Sequence, residues 1–359
     1  MTAPLRVVIA GGGTGGHLYP GVAVARELLR RRPDAVVTFA GTARGIEARV
    51  IPREGFPLDV LRSAGLKGRS IGGLLRGVAL LPMSGADAWR ILSRRKPDLV
   101  IGVGGYSSGP VVLAAALRRV PTMLLEQNAV PGLTNRLLAR VVGAAAVTFE
   151  PTVAFFGRRA FVAGNPVRPE FLAGGGVQRR EGAPRILIFG GSQGAHAINM
   201  AMVEAAPRLA AAGLVDITHQ TGERDLDVVR RAYADAAVPA RVEPFLYAMD
   251  REMTDADVIV CRAGATTIAE VTAAARAAIL VPLPTAADDH QRRNAEVLAQ
   301  AGAAEVIEQT DLTGAALADR IAMLATDESR RRAIAAAAAA FARPDAARVI
   351  VDRALELVR

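Results

Sequence analysis

Short runs of Val, Ile and Leu recur at 6–10, 36–40, 99–103 and 122–125, and again at 186–189, 258–261 and 278–281. Between them, apolar residues return every three or four positions. Continuous apolar runs of this length read as strands buried on both faces, and the intervening pattern as helices that cover them, so the chain predicts parallel sheets wound with helices on both sides. The rhythm breaks between Gly164 and Gly182, where Gly164-Asn165-Pro166 and Gly174-Gly175-Gly176 precede the charged Arg179-Arg180-Glu181. A boundary there gives an N-terminal domain over 1–164 and a C-terminal domain over 165–342. A last amphipathic helix near 345–357 carries Val349, Ile350 and Leu355, so segment 343–359 is expected to return to the first domain. Each half opens alike, with a strand followed by Gly11-Gly12-Gly13-Thr14-Gly15-Gly16 or by Gly190-Gly191-Ser192-Gln193-Gly194 and then a helix. The expected fold is α/β, with two doubly wound, Rossmann-like domains facing a cleft.

Composition narrows the partners. Of 359 residues, 51% are apolar and 22% charged, enough for cores of this kind. A single cysteine, Cys261, excludes an internal disulfide framework and fits a reducing compartment. The opening MTAPLRVVIAGGG runs straight into a strand, without the apolar core of a signal peptide, so a cytosolic chain is expected. A formal charge of +9 favours a polyanionic partner, either nucleic acid or an anionic membrane surface. Aromatic residues make up 4% and do not interleave with basic ones, which counts against nucleic acid. Between 66 and 82, Ile71, Leu74, Leu75 and Val78 share one helical face flanked by Lys67, Arg69 and Arg76, and Arg90, Arg94, Arg95 and Lys96 follow. Such a face either packs inside the domain or dips into an anionic bilayer.

The candidate chemistry lies at strand ends. Glycines 11, 13 and 16 match G-x-G-x-x-G between a strand and a helix, which suits either phosphate binding at a helix N-terminus or tight packing alone. The second strand ends Phe39-Ala40-Gly41-Thr42, without the acidic residue a nicotinamide dinucleotide would need for its ribose. Neither glycine loop carries the P-loop lysine, so the phosphate reads as a leaving group. Cys261-Arg262-Ala263-Gly264-Ala265-Thr266-Thr267-Ile268-Ala269-Glu270 follows a strand and opens a helix; Glu270 either complements the helix dipole or accepts ribose hydroxyls. A polar loop from Pro282 to Asn294 sits at the next strand end.

Taken in order, GGGTGGHLYPGVAVA, GVGGYSSGP, LEQNAVPGLTNRLLA, GNPVR, FGGSQGAHAIN, CRAGATTIAEV and DDHQRRNA resemble the successive motifs of the MurG family of N-acetylglucosaminyltransferases, over essentially the whole chain. The resemblance implies the two-domain GT-B fold. It also implies inverting transfer of N-acetylglucosamine from UDP-N-acetylglucosamine to the 4-hydroxyl of the muramoyl sugar of undecaprenyl-linked lipid I, giving lipid II of peptidoglycan. It places the enzyme peripherally on the cytoplasmic face of the cell membrane and calls for no cofactor. By the same resemblance, Thr14, Gly15, Gly16, Tyr106, Asn128, Arg168, Ser192, Gln193, Leu246, Ala265, Thr266, Thr267, Ile268, Ala269, Glu270 and Gln291 fall at substrate-binding positions. Ser192 would hold the diphosphate with charge from Arg168; Thr266 and Glu270 would hold the nucleoside; Asn128 and Gln291 would reach the sugar; and the Leu246 backbone would read uracil. Asp288 and Asp289 stay unassigned.

Direct displacement needs a base near neutrality, a role suited to histidine. His17 closes the first glycine loop and is the expected base, with Glu126 in reserve; His196, His219 and His290 sit at other strand or loop ends. No metal is expected, because Asp255-Ala256-Asp257 precedes its strand and so lies at the opposite end of the sheet. Two other readings stay open: a GT-B transferase with a different acceptor, and a sensor that binds the nucleotide sugar without turnover.

Overall fold

The computed structural model describes residues 4–63, 71–168, 170–173, 183–191 and 194–358, with side chains omitted for 71–79, 172 and 173. The chain forms two compact units, Met1–Arg168 with Arg343–Arg359, and Pro169–Ala342. The first holds strands β1 (Arg6–Gly11), β2 (Val36–Gly41), β3 (Leu58–Val60), β4 (Leu99–Gly104), β5 (Thr122–Glu126), β6 (Ala144–Val147) and β7 (Ala160–Val162). They pair in the order β3-β2-β1-β4-β5-β6-β7, all parallel. The second holds β8 (Ile186–Phe189), β9 (Ile217–Gln220), β10 (Arg241–Glu243), β11 (Val258–Cys261), β12 (Ala277–Leu280) and β13 (Glu305–Val306), ordered β10-β9-β8-β11-β12-β13 and also parallel.

In each unit the strand order reverses at one place, between β1 and β4 and between β8 and β11. Connections on the two sides of such a point wind to opposite faces and leave a crevice beyond the carboxyl ends of the strands. Both glycine loops follow the strand at a reversal. Topology therefore sets the candidate residues where open α/β sheets bind ligands.

The central strands are wholly apolar and buried, as a parallel sheet covered on both faces requires. Strand β9 departs from that rule. Its sequence, Ile217-Thr218-His219-Gln220, is buried throughout, and the polar side chains find partners. His219 Nδ1 lies 3.1 Å from the Tyr233 hydroxyl and Nε2 lies 3.1 Å from Asn199 Oδ1. Burial pushes the His219 pKa down to about 3, so the ring is neutral and its hydrogen bonds keep it in the core.

The last helix, Ala346–Glu356, lies along the helix Gly15–Arg31 of the first unit. Ile350 and Val351 are fully buried there, each contributing about 1.5–3 kcal/mol of apolar burial, and Arg31 pairs with Asp352.

The basic apolar segment is one helix, Ile71–Arg95, with Pro82 inside it. Residues 66–70 and the side chains of Ile71, Leu74, Leu75, Arg76 and Val78 lie outside the described residues. Further along, Ala88, Ile91 and Leu92 enter the core, while Leu81, Met83 and Trp89 are exposed. The basic residues here are shared with carboxylates: Arg94 and Arg95 with buried Asp59 at 2.5 and 2.7 Å, Arg62 and Arg90 with Asp87 at 2.7 and 3.3 Å. Hydrogen bonds from Arg62 hold the Asp87 pKa at about 2. Among the described residues, no helix is long and apolar enough to cross a membrane.

Candidate functional site

In the first unit, the ends of β1, β4 and β5 converge. Gly12 N–H donates to Gly104 O at 3.3 Å, binding the first glycine loop to the end of β4. Gly104 has φ +95°, and a Cβ there would sit 2.9 Å from His17 Nδ1. A side chain at 104 would therefore be strained and would displace the imidazole. His17, half-buried in the first turn of the helix Gly15–Arg31, thus rests on bare backbone and reaches Gln127 Oε1 with Nδ1 at 3.1 Å.

Thr14 caps this helix in an extended conformation, and Gly15 and Gly16 follow with their amides in its first turn. Pro20 falls in the second turn rather than at the start, so the Gly16 carbonyl has no N–H four residues on. The loop is less open to anions than its glycines suggest. Glu47, 1% exposed, accepts the Gly13 N–H at 2.8 Å and the Thr42 N–H and hydroxyl at 2.9 and 2.7 Å. A carboxylate does stand at the end of β2, arriving from five residues past Thr42, and it is engaged by the loop itself. With Gly12 and Gly13 committed, the Thr14, Gly15 and Gly16 amides are the ones at the helix start.

Glu126 ends β5 with 2% exposure. One carboxylate oxygen accepts from Asn128 N and Nδ2 at 3.0 and 3.3 Å, the other from Gly132 N and Asn135 Nδ2 at 3.1 and 2.9 Å. Burial raises its pKa and those donors partly offset the rise. Geometrically, Glu126 folds the loop 128–132 around itself and holds Asn128, itself 9% exposed, beside it. Tyr106, just past Gly105, is 54% exposed, and its carbonyl accepts from Ser63 Oγ at 3.1 Å. Arg168 is exposed at the end of the unit's main segment.

In the second unit, Ser192 and Gln193 lie outside the described residues. The flanking Gly191 carbonyl accepts from Gln220 Nε2 at 2.7 Å, while Gln220 Oε1 accepts the Leu246 N–H at 2.9 Å. Gln220 therefore ties the glycine loop to the segment carrying Leu246. The helix Ala265–Ala273 starts at the end of β11. It buries Ala265, Ile268 and Glu270, leaves Thr267 and Ala269 half-exposed, and encloses the Thr266 hydroxyl, which has no hydrogen-bond partner among the described residues. Its entry is braced by two buried side chains. Arg262 donates to Val281 O and Pro282 O at 3.1 and 3.2 Å and to Gln309 Oε1 at 2.7 Å, and Asn294 donates to Ala263 O at 3.3 Å. In the loop after β12, Asp288 and Asp289 both adopt left-handed φ, 57° and 55°. Gln291 Oε1 accepts Leu283 N–H at 3.0 Å, which turns its amide nitrogen away as a donor.

Asp255 and Asp257 lie at the opening end of β11, where both meet Arg185. Sequence reasoning passed over Glu47, Gln127, Gln220 and Arg262. Gln127 stood inside LEQNAVPGLTN, whereas Glu47 carried no local signal, because its contacts with Gly12, Gly41 and Gly45 form only in the fold.

Two parallel-sheet units of this topology, with glycine loops at their reversal points, are the architecture of the GT-B class. Residues 7–147 match the glycosyltransferase family 28 N-terminal domain and residues 185–350 its C-terminal domain. The chain belongs to glycosyltransferase family 28. It is 48% identical over 375 residues to a protein of Pelobacter propionicus, covering 98% of this chain and 99% of that one, and 48% identical over 360 residues to one of Anaeromyxobacter sp. strain K, covering 99% and 94%. Both relatives are named UDP-N-acetylglucosamine–N-acetylmuramyl-(pentapeptide) pyrophosphoryl-undecaprenol N-acetylglucosamine transferase. The crystal structure of Acinetobacter baumannii MurG is similar at a TM-score of 0.81 and 32% identity, covering 98% of this chain and all of that one.

Proposed function

We propose that this chain transfers N-acetylglucosamine from UDP-N-acetylglucosamine to the muramoyl sugar of lipid I, forming lipid II for peptidoglycan. The observation that carries this reading is the near full-length identity, 48%, to two transferases so named. The first unit then takes the lipid-linked acceptor and the second the donor.

The local geometry of the described residues supports a role for several of them. His17 takes the proton of the acceptor hydroxyl as that oxygen displaces UDP with inversion. Glu126, with both oxygens held by loop donors, serves by shaping the Asn128 loop. In the donor unit, Glu270 and the buried Thr266 hydroxyl suit a ribose, the Gln291 amide nitrogen suits a sugar oxygen, and the Leu246 carbonyl suits a base N–H. Ser192, Gln193 and Arg168 are assigned to the diphosphate, whose departing charge helix dipoles and the guanidinium stabilise.

Attachment to an anionic membrane surface is assigned to the exposed Leu81, Met83 and Trp89 of the helix Ile71–Arg95 and Leu113 and Leu117 of the adjoining helix Ser108–Leu117. The Arg118 guanidinium sits 5.0 Å over the Trp89 ring, placing a cation at this apolar surface.

The test is incubation with radiolabelled UDP-N-acetylglucosamine and a lipid I analogue, followed by product analysis. Transfer to the muramoyl 4-hydroxyl is expected. Binding of the nucleotide sugar without turnover, or transfer only to another acceptor, would overturn the reading.

A further inference from the structure

We propose that Gln127 is a positioning residue that fixes His17 in the neutral tautomer protonated at Nδ1, with the basic lone pair on Nε2; the catalytic consequence rests on the reading of His17 as base. Gln127 is 2% exposed, and its two amide atoms have separate tasks. Nε2 donates to Val103 O at 3.2 Å, and a carbonyl oxygen can only accept. The amide cannot be turned around without setting two oxygens against each other, so Oε1 is the atom 3.1 Å from His17 Nδ1. Oε1 in turn can only accept. In neutral His17, the proton must therefore sit on Nδ1.

The chain of constraint starts in the sheet. Val103 belongs to β4 and Gln127 directly follows β5, neighbouring parallel strands whose pairing fixes both groups. Gly104, bare of a side chain, lets the imidazole lie against the backbone within reach of the amide. His17 itself is carried by the helix that follows β1, which pairs with the other side of β4. Three adjacent strand ends thus determine one proton's position.

In the transfer step, the acceptor O–H bond breaks and its proton goes to His17 Nε2. The oxygen's electron pair forms the bond to the anomeric carbon, while the bond from that carbon to the diphosphate oxygen breaks and its pair leaves on UDP. A ring protonated at Nε2 instead has no lone pair there to accept the proton. Gln127 thus acts through His17, and its loss lowers the fraction of enzyme ready for reaction without touching donor binding.

The direct test is a two-bond 1H–15N correlation spectrum of the full chain labelled with 15N-histidine, at a pH where the rings are neutral. Four histidines give a tractable spectrum, and the signal lost in His17→Ala identifies His17. The expected pattern is a protonated Nδ1 and an unprotonated Nε2; the reverse pattern overturns the proposal. Kinetics supply the second arm. Gln127→Met should lower kcat at least tenfold, up to the roughly 10⁴-fold loss seen when a catalytic histidine is held in the wrong tautomer, with donor KM unchanged. In a His17→Ala background the same change should cost nothing further, since it acts through the ring. An equal loss in both backgrounds marks a structural role and also overturns the proposal. An unchanged kcat in His17→Ala overturns the base reading whatever the spectrum shows, so the two failures are distinguishable. The spectrum is read on the unsubstituted chain and stays decisive if Gln127→Met fails to fold.

Discussion

The carboxylate of Glu47 accepts the backbone N–H of Gly13 across 2.8 Å, closing the first glycine loop from a position 34 residues further along the chain. Its other oxygen takes the N–H and hydroxyl of Thr42, so one buried side chain binds the ends of β1 and β2 together. A Cβ at Gly12 would lie 2.6 Å from this carboxylate, which gives that glycine a packing reason of its own. Part of the loop's glycine content therefore serves a carboxylate of the protein, and the helix start carries what remains for a ligand.

Replacing Glu47 by Gln should destabilise the first unit by about 1–3 kcal/mol at pH 7, because an amide offers one acceptor and turns a donor towards N–H groups. Burial alone would raise the Glu47 pKa, yet the Gly13 and Thr42 amides more than offset it and hold it below the usual 4.5. A lowered carboxylate pKa favours the folded state above the unfolded value, and that stability is lost as pH falls through the folded value. Melting curves should therefore separate the two proteins fully at pH 7 and draw together only as pH falls below the usual carboxylate range. Coincident curves at pH 7 would remove Glu47 as the loop's anchor.

On the reading of His17 as base, His17→Ala should lower kcat by roughly 10²–10⁴-fold and leave the affinity for UDP-N-acetylglucosamine nearly intact. Donor titration by calorimetry alongside steady-state kinetics separates the two effects. A loss confined to donor affinity would place His17 in binding.

Glu270→Ala should weaken UDP and UDP-N-acetylglucosamine to a similar extent, because the ribose is common to both. Comparing UDP with 2′-deoxy-UDP makes this specific. The parent should prefer the hydroxylated ligand and the variant should not; equal discrimination by both proteins would contradict a ribose contact.

For the membrane surface, Trp89→Glu combined with Leu117→Glu should greatly reduce co-sedimentation with anionic phosphatidylglycerol vesicles. These side chains are 50% and 71% exposed, so the melting temperature and turnover of a short-chain soluble acceptor should hold. Undiminished vesicle binding would move the attachment elsewhere on the molecule.

Much of this architecture was legible in one dimension. Runs of Val and Ile marked β1, β2, β4, β5, β8, β11 and β12 to within a residue, because a strand buried on both faces has no polar positions to blur its ends. Strand β6, Ala144-Ala145-Ala146-Val147, escaped because alanine signals a helix as readily as a strand, and β9 showed only its end at His219-Gln220, because polar residues break its apolar run until their partners are known. Glycine loops, the Glu126–Asn128 motif and the Ala265–Glu270 helix start were likewise visible, since turn and helix-start chemistry is written in neighbouring residues.

Which atoms those motifs present was decided by the tertiary structure. Glu47 reaches Gly13, Gln127 reaches both Val103 and His17, and Gln220 joins Gly191 to Leu246, each across at least 24 positions of sequence. Local pattern marks what a segment becomes because a helix closes its hydrogen bonds within four residues and a strand's faces alternate every two. Hydrogen bonds between strand ends depend on sheet order, and in a parallel sheet adjacent strands are joined only through a long crossover. The sequence alone thus determined that glycine loops and a histidine would stand at strand ends, and the β1-β4-β5 pairing decided which nitrogen of that histidine carries the proton.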